Sequence, residues 1–258
     1  MATADTHSTA RLEDVAALAN VSLATASKAL HGKPRVSEDT RERVMEAARQ
    51  LNYSPNKLAQ SLASGRSVYV YGPSTDINDC SVTCDNVDAG RMAVNHLISC
   101  GRNRIAIIGG DETYTASTDR TKGALEALAE VGLEPAGPIR YGRWDENWGR
   151  AATRLLLDQG VKFDAVVCQS DQLARGCIDA LKSQHLRIPE DVAVIGHDNW
   201  DVLTKNSRPP LTSIDNETEL IGRKAARYLM DAINGQPHHG TEYLPCRLIQ
   251  RESTLPID

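Results

Sequence analysis

The chain contains 258 residues, of which 24% are charged and 41% are hydrophobic, a composition typical of a globular protein with a sizeable core. No apolar run approaches the ~20 residues that cross a bilayer, and Met1–Ala10 carries no apolar secretory segment, so we expect neither a membrane nor a secreted protein. Aromatic residues make up only 4%, which argues against a stacking platform for single-stranded nucleic acid. Without a secretory segment, the six cysteines are expected to be reduced cytosolic thiols.

The net charge of −5 is distributed unevenly along the chain. Residues 1–66 contain nine Lys and Arg against seven acidic residues, whereas the rest of the chain contains 20 against 27. Residues 28–66 alone hold eight basic and four acidic side chains. A basic end on an acidic body is typical of a protein that binds a polyanion, although a solvated helix face is an alternative.

The basic end is predicted to fold into three helices. Apolar residues at helical spacing place them at Leu12–Ala19, Leu23–His31 and Glu38–Asn52. Asn20 can adopt the left-handed conformation that a sharp turn needs, and Ser22 can cap the second helix. Two short helices joined by a tight turn and braced by a third predict a helix-turn-helix headpiece, with a generic three-helix bundle as the alternative.

Several segments of this end match one protein family. Leu12–Ser22, Ala24–Leu30, Val36–Val44 and Leu51–Asn56 closely resemble the LacI/GalR family of bacterial repressors. The continuation Lys57–Arg66 is similar to the hinge helix of that family. The resemblance implies a DNA-binding headpiece over residues 1–54, a hinge helix and linker over 55–66, and an effector-binding and dimerisation domain over 67–258.

The resemblance also assigns DNA contacts to individual positions. The second helix would enter the major groove, with phosphates held by Ser22, Thr25 and Ser27. The base-reading positions of the family hold Leu23, Ala24 and Lys28. A lysine can donate to guanine O6 and N7, whereas leucine and alanine make only apolar contacts, for instance with thymine methyl groups.

The hinge positions that match DNA-contacting residues of the family are Asn56, Ala59 and Leu62. The resemblance implies that Leu62 is a wedge that enters the minor groove and kinks the duplex, with an ordinary core leucine as the alternative. An isolated helix of about ten residues is marginal, so Pro55–Ser64 is predicted to become helical only on DNA.

The remainder of the chain alternates short apolar strands with amphipathic helices. Strands are predicted at Arg104–Gly109, Ala165–Cys168, Val192–Ile195 and Leu211–Ile214. Helices are predicted near Asp88–Ser99, Thr118–Val131, Asn147–Gln159, Asp171–Gln184 and Thr218–Asn234. The alternation predicts parallel sheets covered on both faces, with ligands bound at the carboxyl ends of the strands.

This part of the chain resembles the periplasmic-binding-protein-like effector domain of the same repressors, for example over Ile188–Gly196. The positions that correspond to ligand-contacting residues are Arg120, Trp144, Ser170, Asp171, His197 and Asp198. An arginine fork and carboxylates bond hydroxyl groups and an indole packs on an apolar ring face, which suits a sugar or another polyol. The alternatives are that Asp171 only caps a helix and that Arg120 only forms an ion pair.

The chain is shorter than the family pattern after Arg66. In the family, several strand–helix units precede the segment that resembles Val68–Gly72, whereas here only Ser67 separates that segment from Arg66. At about 30 residues per βαβ unit, roughly 60–90 residues are absent. The second lobe is expected to be complete. The first lobe is expected to keep two helices and three strands, at Val68–Tyr71, Ser81–Cys84 and Leu211–Ile214.

We therefore predict a small all-α helix-turn-helix headpiece and an α/β periplasmic-binding-protein-like domain with parallel sheets and an incomplete first lobe. The expected function is that of a cytoplasmic, nucleoid-associated bacterial transcriptional regulator, a ligand-responsive repressor that binds a pseudopalindromic double-stranded DNA operator as a homodimer. No enzyme motif is present, and neither a cofactor nor a metal is expected, because Cys80 and Cys84 have no second ligand pair near them in sequence. The alternatives are a DNA-binding remnant without ligand response and a solute-binding protein.

Overall fold

A computed structural model describes residues 12–30, 36–51, 68–70, 72 and 79–254. The chain divides into two compact units, Met1–Gly65 and Arg66–Asp258. The predicted hinge helix, with Asn56, Ala59 and Leu62, lies outside the described residues. Within the described residues, no helix combines the length and apolar character that crossing a membrane requires.

The first unit contains three short helices, α1 (Leu12–Leu18), α2 (Leu23–Leu30) and α3 (Glu38–Gln50). Each helix buries small apolar side chains in a common core, among them Val15, Ala26 and Val44. The three helices therefore lie close to their predicted bounds, with each C-terminus one or two residues earlier than expected.

The turn between α1 and α2 has the predicted chemistry. Asn20 adopts the left-handed conformation, with a φ of 51°. The Ser22 hydroxyl accepts a hydrogen bond from the backbone N–H of Thr25 at 3.1 Å and thereby caps α2. At the other end of α2, the guanidinium of Arg41 donates to the carbonyl of Ala29 at 2.9 Å, which fixes α3 against it.

The second unit alternates strands and helices. Its strands are β1 (Val68–Val70), β2 (Cys80–Cys84), β3 (Ile105–Ile108), β4 (Ala165–Cys168), β5 (Ala193–His197), β6 (Thr212–Asp215), β7 (Gly240–Leu244) and β8 (Arg247–Ile249). Its helices are α4 (Asn86–Ser99), α5 (Thr115–Glu130), α6 (Glu146–Asp158), α7 (Asp171–Ser183), α8 (Asp201–Thr204) and α9 (Thr218–Ile233). A 3₁₀ turn follows at Glu252–Thr254.

The strands form two sheets. The smaller sheet has the order β1-β2-β7 and is parallel throughout. The larger sheet has the order β3-β4-β5-β6-β8 and is parallel except for β8, which runs antiparallel to β6. This confirms the predicted α/β architecture with parallel sheets.

Alternate side chains of the larger sheet face two apolar cores. On β3, Ile105 and Ile107 join the core that contains side chains of α4 and α5, whereas Ala106 and Ile108 join the core formed with α6 and α7. Successive strand residues point to opposite faces, so a strand covered by helices on both sides is apolar at every position. Val82 of β2 belongs to the first of these cores, so that core is shared by both sheets.

Two expectations about the smaller sheet are wrong. The strand predicted at Leu211–Ile214 is β6, which lies between β5 and β8 in the larger sheet rather than in the first lobe. The third strand of the smaller sheet is instead β7, in a segment where no strand was predicted. β7 is an edge strand that buries only Leu244, so it lacks the apolar run by which the other strands were recognised.

Candidate functional site

The predicted DNA-contacting residues of the headpiece lie together on α2 and at its cap. The residues concerned are Ser22, Leu23, Ala24 and Lys28, which are exposed, and Thr25 and Ser27, which are half-buried. Ala26 and Ala29 occupy the opposite, buried face of the helix. The helix therefore presents one continuous surface made of the residues that the sequence singled out.

The chemistry of this surface suits a duplex. The α2 sequence contains no acidic residue, and Lys28 lies in its last turn. Leu23 is 48% exposed at the first turn, although burial would stabilise a leucine side chain by roughly 1.5–3 kcal/mol. An exposed apolar tip with a cation one turn further along can contact both thymine methyl groups and guanine acceptors in a major groove.

A cavity of about 440 Å³ lies in the second unit, at the carboxyl ends of the strands. Its wall is contributed by residues at or after the ends of five strands, β2 to β6. The lining consists of Cys84, Asn86, Tyr114, Ala116, Arg120, Trp144, Ser170, Gln172, Asp198, Trp200, Asn216 and Thr218. Four of the six predicted ligand-contacting residues, Arg120, Trp144, Ser170 and Asp198, are thus brought together.

Arg120 extends from α5 into the wall and is held by two hydrogen bonds. Its Nε donates to the side-chain oxygen of Asn86 at 2.8 Å, and its Nη1 donates to the backbone carbonyl of Gln169 at 2.6 Å. Both partners are neutral, so these bonds fix the guanidinium without neutralising its charge. The arginine is therefore a preorganised cation that is only 8% exposed.

An aromatic wall lies beside this cation. The Arg120 Cζ is 5.9 Å from the ring centre of Trp144, and Tyr114 contacts the same indole edge-to-face with 6.4 Å between ring centres. A Cβ at Gly110 would overlap the Trp144 ring, so glycine is required there for the indole to pack. Trp200, which is 53% exposed, adds a second indole to the lining.

Asp198 supplies the carboxylate of the cavity. It follows β5 with a φ of 103°, and its Oδ1 accepts a hydrogen bond from the side-chain amide of Asn216 at 2.9 Å. Burial raises the pKa of Asp198 to about 6, while the nearby Arg120 and the bond from Asn216 act in the opposite direction.

Asp171 and His197 lie behind the lining instead of in it. The Asp171 carboxylate is fully buried and accepts from the Ser213 hydroxyl at 2.6 Å and from the backbone N–H of Trp200 at 2.9 Å. Burial raises the pKa of Asp171 to about 7. The buried His197 ring bonds the side chain of Asn216, and burial holds its pKa well below the usual value. Both residues therefore position lining residues.

The helix cap at this place is Ser170. Its hydroxyl accepts from the backbone N–H of Leu173 at 3.2 Å, while Asp171 is the first residue of α7. The capping role considered for Asp171 therefore belongs to its neighbour. His197 lies on the same face of β5 as Ala193 and Ile195, which pack in the core with α4 and α5, and this alternation is visible in the sequence.

The lining contains residues that the sequence did not single out. These are Cys84, Asn86, Tyr114, Ala116, Gln172, Trp200, Asn216 and Thr218. All lie at a strand end, in the following turn or in the first residues of the next helix. That position was a usable signal, because ligand sites of parallel α/β sheets lie at the carboxyl ends of their strands.

Within the described residues, no group of three or more His, Cys, Asp or Glu side chains is arranged to hold a metal ion. The six cysteines are all buried and free.

Comparison with known proteins identifies the two units. Residues 94–254 match the periplasmic binding protein-like domain family, and residues 11–56 match the bacterial regulatory proteins of the lacI family. The HTH-type transcriptional regulator CelR of Thermobifida fusca is 30% identical, over 94% of this chain and 97% of CelR. This chain belongs to the LacI family.

As a LacI-family protein, the chain is a DNA-binding transcriptional regulator and not an enzyme. The HTH-type transcriptional repressor CytR of Escherichia coli K12 is also similar, with 29% identity over 96% of this chain and 97% of CytR. A solved structure of a CelR–cellobiose complex superimposes with a TM-score of 0.67 and 28% identity, covering 95% of this chain and 99% of that one. The headpiece is thus a helix-turn-helix unit, as predicted.

The alignment with CelR is longer than this chain. It extends over 334 positions, although the chain contains 258 residues. CelR therefore contains residues that have no counterpart here.

Proposed function

We propose that this LacI-family regulator is a ligand-responsive repressor that binds a pseudopalindromic operator as a homodimer and releases it when a sugar fills the cavity. The observation that carries the proposal is the fixed Arg120 guanidinium beside the Trp144 indole, in the same cavity lining as the Asp198 carboxylate. Sugars present hydroxyl groups around the edge of an apolar ring, so this combination suits them. The volume of about 440 Å³ is within the range of small-molecule sites.

The ligand contacts divide into two groups. Arg120, Ser170 and Asp198 are proposed to bond hydroxyl groups, and Trp144 is proposed to pack on the ring. Asp171 and His197 act indirectly, because one holds the backbone of Trp200 and the other holds Asn216. Since a neighbour of the same fold was solved with cellobiose, that disaccharide is the first ligand to test.

The DNA contacts are proposed to come from α2 and from the hinge. Ser22, Thr25 and Ser27 would hold phosphates, whereas Leu23, Ala24 and Lys28 would face base edges. The family resemblance supports DNA contacts from the hinge as well. These contacts are proposed for Asn56, Ala59 and Leu62. The proposed boundaries remain residues 1–54, 55–66 and 67–258, and the site of action is the bacterial nucleoid in the cytoplasm.

The first effector lobe is proposed to be shortened after Arg66. The smaller sheet has only three strands among the described residues, and the alignment with CelR is longer than the chain. These two observations support a loss inside the chain, because the alignment covers 97% of CelR from one end to the other.

The experiment is isothermal titration of cellobiose and a panel of monosaccharides and disaccharides into the full chain. At least one sugar should give saturable binding, and Trp144→Ala should abolish it. Trp148→Phe is the matched control, because Trp148 packs against the core without lining the cavity. If no sugar binds while specific DNA binding persists, the chain is a DNA-binding remnant and the proposal is wrong.

A further inference from the structure

Two cysteine thiols meet at the floor of the cavity. Cys84 is the last residue of β2 and belongs to the cavity lining. It pairs in register with Leu244 of β7, and Cys246 follows Leu244 by two residues. Both thiols lie against the Asp85–Asn86 segment, where the Cys246 thiol lowers the pKa of Cys84.

Polar groups contact both thiols, although the two cysteines also belong to the apolar core shared by the two sheets. The Cys84 Sγ lies 3.5 Å from the side-chain oxygen of Asn86, and the Cys246 Sγ lies 3.8 Å from the carbonyl oxygen of Asp85 and 4.0 Å from that of the Asn216 side chain. The Cys246 thiol and the Arg120 charge lower the pKa of Cys84 to about 7, against burial and the Asp198 charge. Cys84 is therefore thiolate in part near neutral pH, and the cavity gives small solutes access to it.

The same chain contains a second thiol pair that differs in this respect. Cys168 of β4 and Cys177 of α7 lie together in the apolar core between the larger sheet and α6 and α7. Neither lines the cavity, and burial raises the pKa of Cys168 well above its ordinary value. A buried thiol that no cavity opens to solutes is unreactive, so this pair is an internal control.

We propose that Cys84 and Cys246 are a redox-sensitive pair that forms a reversible disulfide when a peroxide enters the cavity. The Cys84 thiolate attacks one peroxide oxygen, which breaks the O–O bond, gives a sulfenic acid and releases hydroxide. The Cys246 thiol then attacks the Cys84 sulfur and forms the S–S bond, and the sulfenic oxygen leaves as water. With hydrogen peroxide, the two thiols lose two electrons and two protons in total, and two water molecules form.

The consequence would be local to the cavity. The disulfide joins the end of β2 to the segment between β7 and β8, directly beside Asn86. The Asn86 side chain accepts the hydrogen bond from Arg120 Nε. Linking the two cysteines therefore displaces Asn86 and alters the position of the Arg120 guanidinium. The thiol chemistry itself does not depend on the identity of the ligand.

The test is to expose the reduced full chain to hydrogen peroxide near pH 7, then to count thiols after unfolding and map peptides without reduction. Two of the six thiols should disappear, the Cys84 and Cys246 peptides should be linked, and dithiothreitol should restore both. The Cys246→Ser variant should lose one thiol and accumulate a dimedone-reactive sulfenic acid on Cys84. In the Cys84→Ser variant, the remaining thiols should be lost at least about ten-fold more slowly than Cys84 and Cys246 are in the wild type.

The matched control is Cys177→Ser, which should form the Cys84–Cys246 link at the wild-type rate. The proposal is overturned if the six thiols of the wild type remain titratable, or if Cys168 and Cys177 link instead. It is equally overturned if a dimedone adduct of Cys84 accumulates in the wild type, because Cys246 would then not resolve the sulfenic acid.

Discussion

The two sheets of the second unit differ in how well they are covered. In the larger sheet, every residue of β3, β4 and β5 is buried. In the smaller sheet, β2 is buried, but Tyr69 and Val70 of β1 are 44% and 42% exposed, and Tyr243 of β7 is 54% exposed. Both outer strands of the smaller sheet are thus incompletely covered, as we expect if the first lobe is shortened in the way proposed above.

The same difference extends to the cavity. The larger sheet and its helices supply Arg120, Trp144 and Asp198, the groups with the chemistry to recognise a sugar. The smaller sheet contributes Cys84, and Asn86 lies at the start of α4, the helix that follows β2. In the proposed function, recognition therefore depends on the well-packed larger sheet, whereas the segment after β2 supports Arg120 through Asn86.

The largest expected effect is on stability. Ile195→Ala in β5 should lower the free energy of unfolding by about 2–5 kcal/mol, because Ile195 is fully buried and the substitution leaves a cavity. Val70→Ala in β1 should change it by only about 0.5 kcal/mol or less, because Val70 is 42% exposed. Urea titrations of both variants measure the contrast, and equal losses would contradict the difference in packing.

The second expected effect is a pH dependence that originates in the well-packed half. Because burial raises the pKa of Asp171 to about 7, the folded state keeps a proton that the unfolded chain releases near pH 4. The carboxyl group therefore destabilises the fold above pH 7, and this penalty is lost as the pH falls towards 4.

Asp171→Asn removes that titration. The unfolding free energy of the wild type minus that of Asp171→Asn should fall by up to about 4 kcal/mol between pH 4 and pH 7. Chemical denaturation at several pH values measures it. A difference that stays constant across this range would show that Asp171 ionises in the folded protein as it does in water.

The third expected effect is on ligand affinity. Arg120→Ala should weaken sugar binding by roughly 10- to 100-fold, because a hydrogen bond to a charged group contributes about 1.5–3 kcal/mol. Arg104→Ala is the control. Arg104 precedes β3 and pairs with Asp164, which precedes β4, so this ion pair lies at the amino ends of the strands, away from the cavity. Calorimetry that finds both variants equally impaired would remove Arg120 from the ligand site.

The fourth expected effect is on the DNA surface. Lys28→Ala should weaken operator binding by about ten-fold and relax base preference at one position of each half-site, as a base-reading contact would require. Lys205→Ala, which removes an exposed lysine paired with Asp201 on α8, should leave DNA affinity unchanged. Fluorescence anisotropy with labelled duplexes measures both, and a loss that is uniform over all sequences would assign Lys28 to phosphates.

The smallest expected effect concerns the hinge. Leu62→Ala should weaken operator binding several-fold and leave nonspecific binding nearly intact, because a wedge acts only where the duplex is kinked. Equal losses for operator and random DNA would contradict the wedge.

The sequence predicted the parts of the fold that depend on local pattern. Strands such as β4 were recognisable because both faces are apolar, and α2 was recognisable from Asn20 and the Ser22 cap. The sheet to which a strand belongs could not be recognised from the sequence. The β6 sequence is equally compatible with either sheet, and only tertiary pairing places it beside β5. β7 was missed because an edge strand with one buried residue carries no clear period.

The candidate site followed the same division. Single positions such as Arg120 and Trp144 could be named from the family resemblance, and they do line the cavity. The direction in which a side chain points could not be predicted from the sequence. Asp171 and His197 were therefore expected to contact the ligand, but they lie behind the cavity lining. Tyr114, Trp200 and Asn216 come from separate turns, and only the folded sheet brings them together.

The most direct test of the account is selection of binding sites from random duplex DNA by the full chain, with and without a bound sugar. We predict a palindrome with a central pyrimidine–purine step, enriched without sugar and lost when sugar is added. That result would show that the chain forms a dimer, orders its hinge and responds to ligand, even with the first lobe shortened as proposed. Enrichment of a single half-site, or of the same palindrome regardless of sugar, would contradict it.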